Sequence, residues 1–333
     1  MVAFEILALV SAIFISLCMS VLDQRKTKSM LFLFFIAFLA FCSFNRISYP
    51  TVDFLSYTDY LINGIDLFNP LNSFYFLREP FFWGIIQIGH KLGFSTQIYF
   101  LIIDVLIIIL VSLALKRLEV PNYFIAIFFI AFFSLIGIQN IYRQWIATSF
   151  LIIFYSFLVN RRGLKSNINL LLSINSHNST FFAGLLSIFR SRKLNFYLYF
   201  IGLPLLVLVF YYGGDTKSIM SSNLDLTIIF VGINAIVVSI IILSGSHEFL
   251  EKYYFYNIAI IWFLISILSI VFLTGDSSER YQYIFMSIFF PILSINIERT
   301  IYPVELARIL LLFILTIPIL HPSILHVVLN IDL

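Results

Sequence analysis

Charge is scarce in this chain, and the scarcity excludes most soluble folds. Asp, Glu, Lys and Arg make up 11% of its 333 residues, where an average soluble domain carries roughly a quarter. Apolar residues reach 61%, and the mean hydropathy is +1.02. A water-soluble fold would need one very large core, sheathed by far more charge than 20 basic and 17 acidic side chains supply. Lipid is therefore the expected solvent. Cysteine is nearly absent: Cys18 and Cys42 each lie inside an apolar segment, which excludes a disulfide framework and leaves buried free thiols. The net charge of +3 comes with no long basic run, which removes nucleic acid from the partners. Asp-x-Asp, His-Glu-x-x-His and glycine-rich phosphate loops are all missing. A metal-bound nucleotide sugar at a cytoplasmic site thus finds no support, and no metal or cofactor is expected. Without internal repeats, Gly/Ser linkers or a low-complexity tail, residues 1–333 read as a single integral membrane domain.

Long apolar runs are what the chain has instead. A spanning helix needs about 20 mostly apolar residues. Runs of adequate length lie near 2–21, 30–45, 97–115, 122–138, 144–160, 195–212, 226–244, 254–273, 281–297 and 305–320. They predict an all-α polytopic membrane protein of about ten transmembrane helices. The first run lacks the basic region of a cleavable signal; Arg25, Lys26 and Lys28 follow it, so it is expected to stay as an anchor.

Two further segments are ambiguous: 79–93 is shorter than a span, and 166–189 is broken by Asn175-Ser176-His177-Asn178-Ser179-Thr180. Basic loops stay on the cytoplasmic side, which arbitrates. With both segments re-entrant or interfacial, 14 Lys and Arg fall on the cytoplasmic side and 6 on the outer side. If 166–189 spans, the tally becomes 10 against 10; if both span, it is 11 against 9. The re-entrant reading separates the charges best. It places both termini and the large loop 46–78 outside. Irregular backbone at membrane depth needs protein or water around its polar groups, so the break at 175–180 implies a hydrated cavity.

The outer loop carries Asp53, Tyr57, Asp59, Tyr60, Asn63, Asp66, Arg78 and Glu79. Carboxylates accept from sugar hydroxyls and aromatic rings cover the C–H face of a pyranose; the bland alternative is a solvated loop with interfacial tyrosines. Arg143, followed by Gln144, sits between two apolar runs on the outer side, where an ionisable residue is costly and usually functional. Its planar fork suits phosphate oxygens, against the plain reading of an arginine snorkelling to headgroups. Arg280 repeats the pattern at another outer entrance, with Glu279 and Asp276 as ordinary ion-pair partners. His177 stands among Asn175, Asn178, Ser179 and Thr180. A lone histidine is more often a satisfied core residue, but so many polar neighbours demand water or a ligand. Its imidazole suits proton transfer or donation to phosphate. Glu79 has a structural alternative as the cap of a short helix begun by Pro80.

In these patches the chain resembles the EpsG-type proteins of bacterial exopolysaccharide and O-antigen clusters, the Wzy-like polysaccharide polymerases. The likeness rests on Asp53-Phe54-Leu55-Ser56-Tyr57, Glu79-Pro80-Phe81-Phe82, Arg143-Gln144 with Arg161-Arg162 after the next span, and His177-Asn178-Ser179. Arg280 with Tyr283 is a weaker fifth patch, and together they run over roughly residues 45–290. The chain departs from the family pattern at Ser176, where an aromatic often precedes the histidine, and at Thr51 and Val52, where a glycine is usual.

The resemblance implies a capsule, exopolysaccharide or O-antigen polymerase of the bacterial cytoplasmic membrane. Its substrate would be an oligosaccharide on undecaprenyl diphosphate, its site would face the periplasm or cell exterior, and a GT-C-like helix arrangement is compatible with it. A flippase and a chain-length regulator are the protein partners it allows. Under this reading Arg143 and Arg280 engage the diphosphate, and His177 is a phosphate ligand or general base. Asp53, Tyr57 and Glu79 bind or activate the acceptor hydroxyl, and Gln144, Ser179 and Tyr283 line the substrate. Two rivals are a membrane glycosyltransferase adding one sugar from a polyprenyl phosphate, and a flippase or transporter of the lipid-linked unit. Transporters often show repeated halves, which this chain lacks. A membrane acyltransferase is weaker still, for want of a cytoplasmic histidine motif.

Overall fold

The computed structural model describes residues 2–22, 27–48, 52–66, 68, 76–135, 142–182, 227–273, 275–300 and 303–316. Every regular element among them is helical. In chain order they are α1 (Val2–Val21), α2 (Thr27–Ser48), α3 (Val52–Asn63), α4 (Pro80–Leu92), α5 (Thr96–Arg117), α6 (Asn122–Leu135) and α7 (Tyr142–Val159). There follow α8 (Gly163–Ser176) with a 3-10 turn at Asn178–Thr180, α9 (Thr227–Ser244), α10 (His247–Lys252), α11 (Phe255–Phe272), α12 (Gly275–Thr300) and α13 (Val304–Thr316).

Helices occupy the described parts of nine of the ten apolar runs; 136–138, 317–320 and the whole run 195–212 lie outside the described residues. Among the described residues four of them, α5, α7, α9 and α11, are long and apolar enough to cross a membrane. At about 1.5 Å per residue, the 22 residues of α5 reach about 33 Å, enough for a hydrocarbon core of about 30 Å. Outward faces are apolar: Leu106 and Leu113 on α5, Ile228 and Leu243 on α9, and Phe263 and Val271 on α11 are all exposed.

Polarity runs the other way, toward the interior. The helix α7 is buried almost along its whole length and α12 from Gln282 to Ile297, and they carry Gln144, Thr148, Ser149, Gln282, Ser287 and Asn296 out of solvent. Gln282 joins three helices. Its side-chain oxygen accepts from Asn234 on α9 at 3.0 Å and from the Trp262 indole on α11 at 2.9 Å, while its amide donates to Ser266 at 3.0 Å. Interhelical hydrogen bonds of this kind hold helices together where lipid supplies no hydrophobic drive.

The bundle has two distinct ends. At one, Arg117 donates to Ser156 at 2.9 Å, and Lys252 and Arg299 both pair with Glu119. Arg308 pairs there with Glu298 and donates to the Ser20 carbonyl. Arg117, Lys252, Arg299 and Arg308 are among the 14 Lys and Arg that the re-entrant reading of the sequence puts on the cytoplasmic side. At the other end, Tyr142 and Phe100 bring the starts of α7 and α5 together, with ring centroids 5.4 Å apart.

Over that second end lie two short helices. Segment 79–93 forms α4, only 13 residues long, and both its ends stay on this side: Glu79 meets α7, and the Tyr99 phenol in the first turns of α5 donates to the Ile85 carbonyl. Gly93 closes α4 in the left-handed region (φ 67°), its N–H bonded to His90, and the chain turns directly into α5. The expected loop 46–78 is partly helical, since α2 runs to Ser48 and α3 occupies Val52–Asn63. Phe54, Tyr57 and Leu61 recur at helical spacing and are all buried; they pack on Phe100, Phe82 and Gly89. Runs this short escape a search for spans. Segment 166–189 is helical as far as Ser176, where the polar break ends α8; residues 183–189 lie outside the described set.

Candidate functional site

The site is built around Glu79. The residue occupies the N-cap of α4 with Pro80 in the first turn, yet its side chain makes no capping hydrogen bond. The carboxylate points across to α7 instead, where Oε2 accepts from Arg143 Nη1 at 2.5 Å. Capping is therefore not its task. The pair is largely out of solvent, with side chains 16% exposed for Arg143 and 3% for Glu79. A buried ion pair of this kind contributes little net stability, but leaving either partner alone costs about 3–5 kcal/mol.

Arg143 stands at the start of α7, one residue after the fully buried Tyr142. Its Nε donates to the Tyr57 hydroxyl of α3 at 3.1 Å, so the guanidinium fork joins α3 and α4 at once. Aromatic rings wall it in. The guanidinium carbon lies 5.6 Å from the Trp83 ring centre and 5.9 Å from that of Tyr57, within range of a cation–π attraction. Tyr57 and Trp83 both pack on Phe82. The fork is thus held by two polar partners against a rigid aromatic floor.

His177 reaches the same place from the opposite end of the bundle. Antiparallel packing on α7 carries α8 there: Ser166 donates to the Phe154 carbonyl at 3.4 Å and Ser173 to that of Ala147 at 2.8 Å. His177 then ends the helix with extended backbone. Its Nδ1 accepts from the Ser179 backbone N–H at 3.1 Å and lies 2.7 Å from Ser179 Oγ. With that lone pair engaged, the hydrogen of a neutral imidazole resides on Nε2. Nε2 faces Glu79 Oε1 at 3.9 Å.

The other expected residues divide. Gln144 donates from Nε2 to the Arg280 carbonyl at 3.0 Å, which brings the N-terminal end of α12 to the start of α7. Tyr283 is buried and packs against Phe230 of α9, with ring centroids 4.7 Å apart. Asp53 lies one turn before Tyr57 on α3; its side chain falls outside what the structure describes. His90, by contrast, contacts the Leu61 carbonyl at 3.0 Å and helps hold α3 on α4.

Three neighbours join that the sequence reading passes over. Trp83 and Tyr142 contribute ring faces. Asp104, 1% exposed inside the apolar α5, accepts from the Tyr142 hydroxyl at 3.0 Å. A carboxylate within an apolar run is itself the signal that finds it. Among the described residues no three His, Cys, Asp or Glu side chains converge as metal ligands. Compared with protein-family models, curated proteins and solved structures, the chain matches none.

Proposed function

We propose that this protein is a multi-span membrane glycosyltransferase of the Wzy-like polymerase kind. It transfers a growing glycan from undecaprenyl diphosphate to the sugar of another lipid-linked repeat unit, at the outer face of a bacterial cytoplasmic membrane. About ten spans with both termini outside complete the arrangement. One observation carries the reading: Tyr57, Glu79, Arg143 and His177 come from four distant segments to one buried cluster, at the end of the bundle away from the basic loops. By the positive-inside rule, that end faces outward.

The chemistry fits the cluster. The leaving group is a diphosphate ester whose charge grows as the glycosidic bond breaks, and a pre-positioned guanidinium in a low-dielectric wall stabilises it. A carboxylate and an imidazole side by side suit an acceptor hydroxyl that must lose a proton. Apolar outward faces on α5, α9 and α11 suit a polyprenyl tail. Undecaprenyl-diphosphate oligosaccharide supplied to the purified protein in liposomes tests the reading. A ladder of repeat units is expected. One added sugar favours the single-transfer rival, movement of units without new glycosidic bonds favours a transporter, and no product at all removes the proposal.

A further inference from the structure

Arg143 cannot serve a diphosphate with its full charge while Glu79 holds it, and the geometry offers a way for the charge to change hands. Two atoms 3.9 Å apart, as Glu79 Oε1 and His177 Nε2 are, are too far for a direct hydrogen bond. A single oxygen lying about 2.8 Å from each bridges them with ordinary hydrogen-bond lengths. The two ends differ in character: Oε1 accepts, while Nε2 donates because Nδ1 is committed to Ser179. A hydroxyl group matches both, giving its proton to one and its lone pair to the other.

We propose that this gap seats the acceptor sugar hydroxyl, that Glu79 is its general base, and that proton uptake by Glu79 transfers Arg143 to the departing diphosphate. The inference rests on the glycosyltransferase reading above. The acceptor O–H bond breaks as its oxygen bonds the anomeric carbon; the proton moves to Glu79 Oε1; the anomeric C–O bond to phosphate breaks, and its electron pair leaves with the lipid diphosphate. Glu79 becomes neutral as the diphosphate gains one negative charge. The guanidinium, sharing Oε2 of the same carboxyl, exchanges a partner that has lost its charge for one that has gained it. His177 orients the hydroxyl, and Tyr57 keeps the guanidinium in plane through Nε. Glu79 is thus both base and counter-ion, which ties the two halves of the reaction to one group.

The test uses the full chain in lipid nanodiscs, with undecaprenyl diphosphate as the binding probe and polymer formation as the second readout. Removing the internal competitor strengthens probe binding while removing the base stops turnover. E79Q is therefore expected to bind the probe about tenfold tighter and to lose at least a hundredfold in rate. E79D keeps the charge but withdraws it by one methylene, and ranks between E79Q and wild type in affinity. R143Q binds the probe at least tenfold more weakly, and E79Q adds nothing in its background. Equal or weaker binding by both Glu79 variants overturns the handover, and near-normal turnover in E79Q overturns the base. Either result leaves the polymerase reading standing if wild type still makes polymer. Should wild type make none and bind no probe, the underlying reading fails instead. Where E79Q does not fold, E79D alone decides the order.

Discussion

The Tyr142 phenol donates to the Asp104 carboxylate across 3.0 Å, tying α7 to α5 one residue before the guanidinium of the site. Both groups are buried, in helices apolar enough to cross a membrane. A hydrogen bond to a charged acceptor contributes about 1.5–3 kcal/mol, and its loss leaves a buried acceptor poorly solvated. Tyr142→Phe is expected to lower stability by about 1–3 kcal/mol on this ground. Asp104→Asn keeps an acceptor for the phenol while removing a buried charge, so it should cost less than Tyr142→Phe. Thermal unfolding of the detergent-solubilised variants checks the order. A larger loss from Asp104→Asn would mean that the charge itself is needed there.

The Arg143–Glu79 pair makes a sharper demand, because each partner is buried with the other. Arg143→Gln strands the carboxylate and should cost about 3–5 kcal/mol. The double replacement with Glu79→Gln, neutral on both sides, should recover at least 1 kcal/mol of that loss, as contacting residues couple by this much or more. Activity should not return with stability. Arg143→Lys keeps the charge but has no fork to reach Tyr57 and Glu79 together; polymer yield in cells should fall at least tenfold at equal protein level. Normal polymer from a well-expressed lysine variant would take Arg143 out of the mechanism.

The sequence makes this cluster partly legible for a physical reason. Arg143 and Glu79 are polar residues at the borders of apolar runs and His177 lies in a polar break within one, where lipid makes them expensive, so they stand out without a structure. Composition and run length likewise mark most of the helices. What stays hidden is whatever depends on a neighbour. Whether Glu79 caps α4 or pairs with Arg143 is a matter of side-chain direction, which spacing does not encode. Gln282 is one glutamine in an apolar helix until Asn234, Trp262 and Ser266 arrive from two others. The helix at Val52–Asn63 is short and half polar, and it is stabilised by burial of Tyr57 and Leu61 against α4.

Two glycines of α4 separate packing from propensity. A Cβ at Gly89 would stand 2.5 Å from Tyr99 Cζ and 2.7 Å from Leu61 Cδ1, whereas one at Gly84 meets nothing within 4 Å. Gly89→Ala should therefore push α3 and α5 away from α4 and destabilise by about 1–3 kcal/mol, the ordinary cost of overpacking. Gly84→Ala should stabilise the same helix by about 0.5–1 kcal/mol, since glycine is that much poorer than alanine in a helix interior. Melting temperatures moving in opposite directions confirm the arrangement of the short helices over the site. Equal shifts would refute it.

At the far end of the bundle, Glu119 joins the turn after α5 to α10 and α12. It lies 2.7 Å from Lys252 Nζ and 2.6 Å from Arg299 Nη2. All three side chains are two-fifths exposed or more, and exposed pairs of this kind contribute only about 0–1 kcal/mol each. The backbone weighs as much: Glu119 sits at φ 72°, in the left-handed region that costs a non-glycine residue roughly 1–2 kcal/mol. Glu119→Ala loses the ion pairs and keeps the strained backbone, while Glu119→Gly loses the same pairs and relieves it. The glycine variant should therefore be the more stable by about 1 kcal/mol, the reverse of the order at Gly84, where alanine is favoured. High salt should weaken wild type more than either variant, because the variants lack the attractive pairs at Glu119 that salt screens. Unfolding curves at low and high ionic strength measure both effects, and an alanine variant at least as stable as the glycine one would show that the backbone at 119 is not what sets this turn.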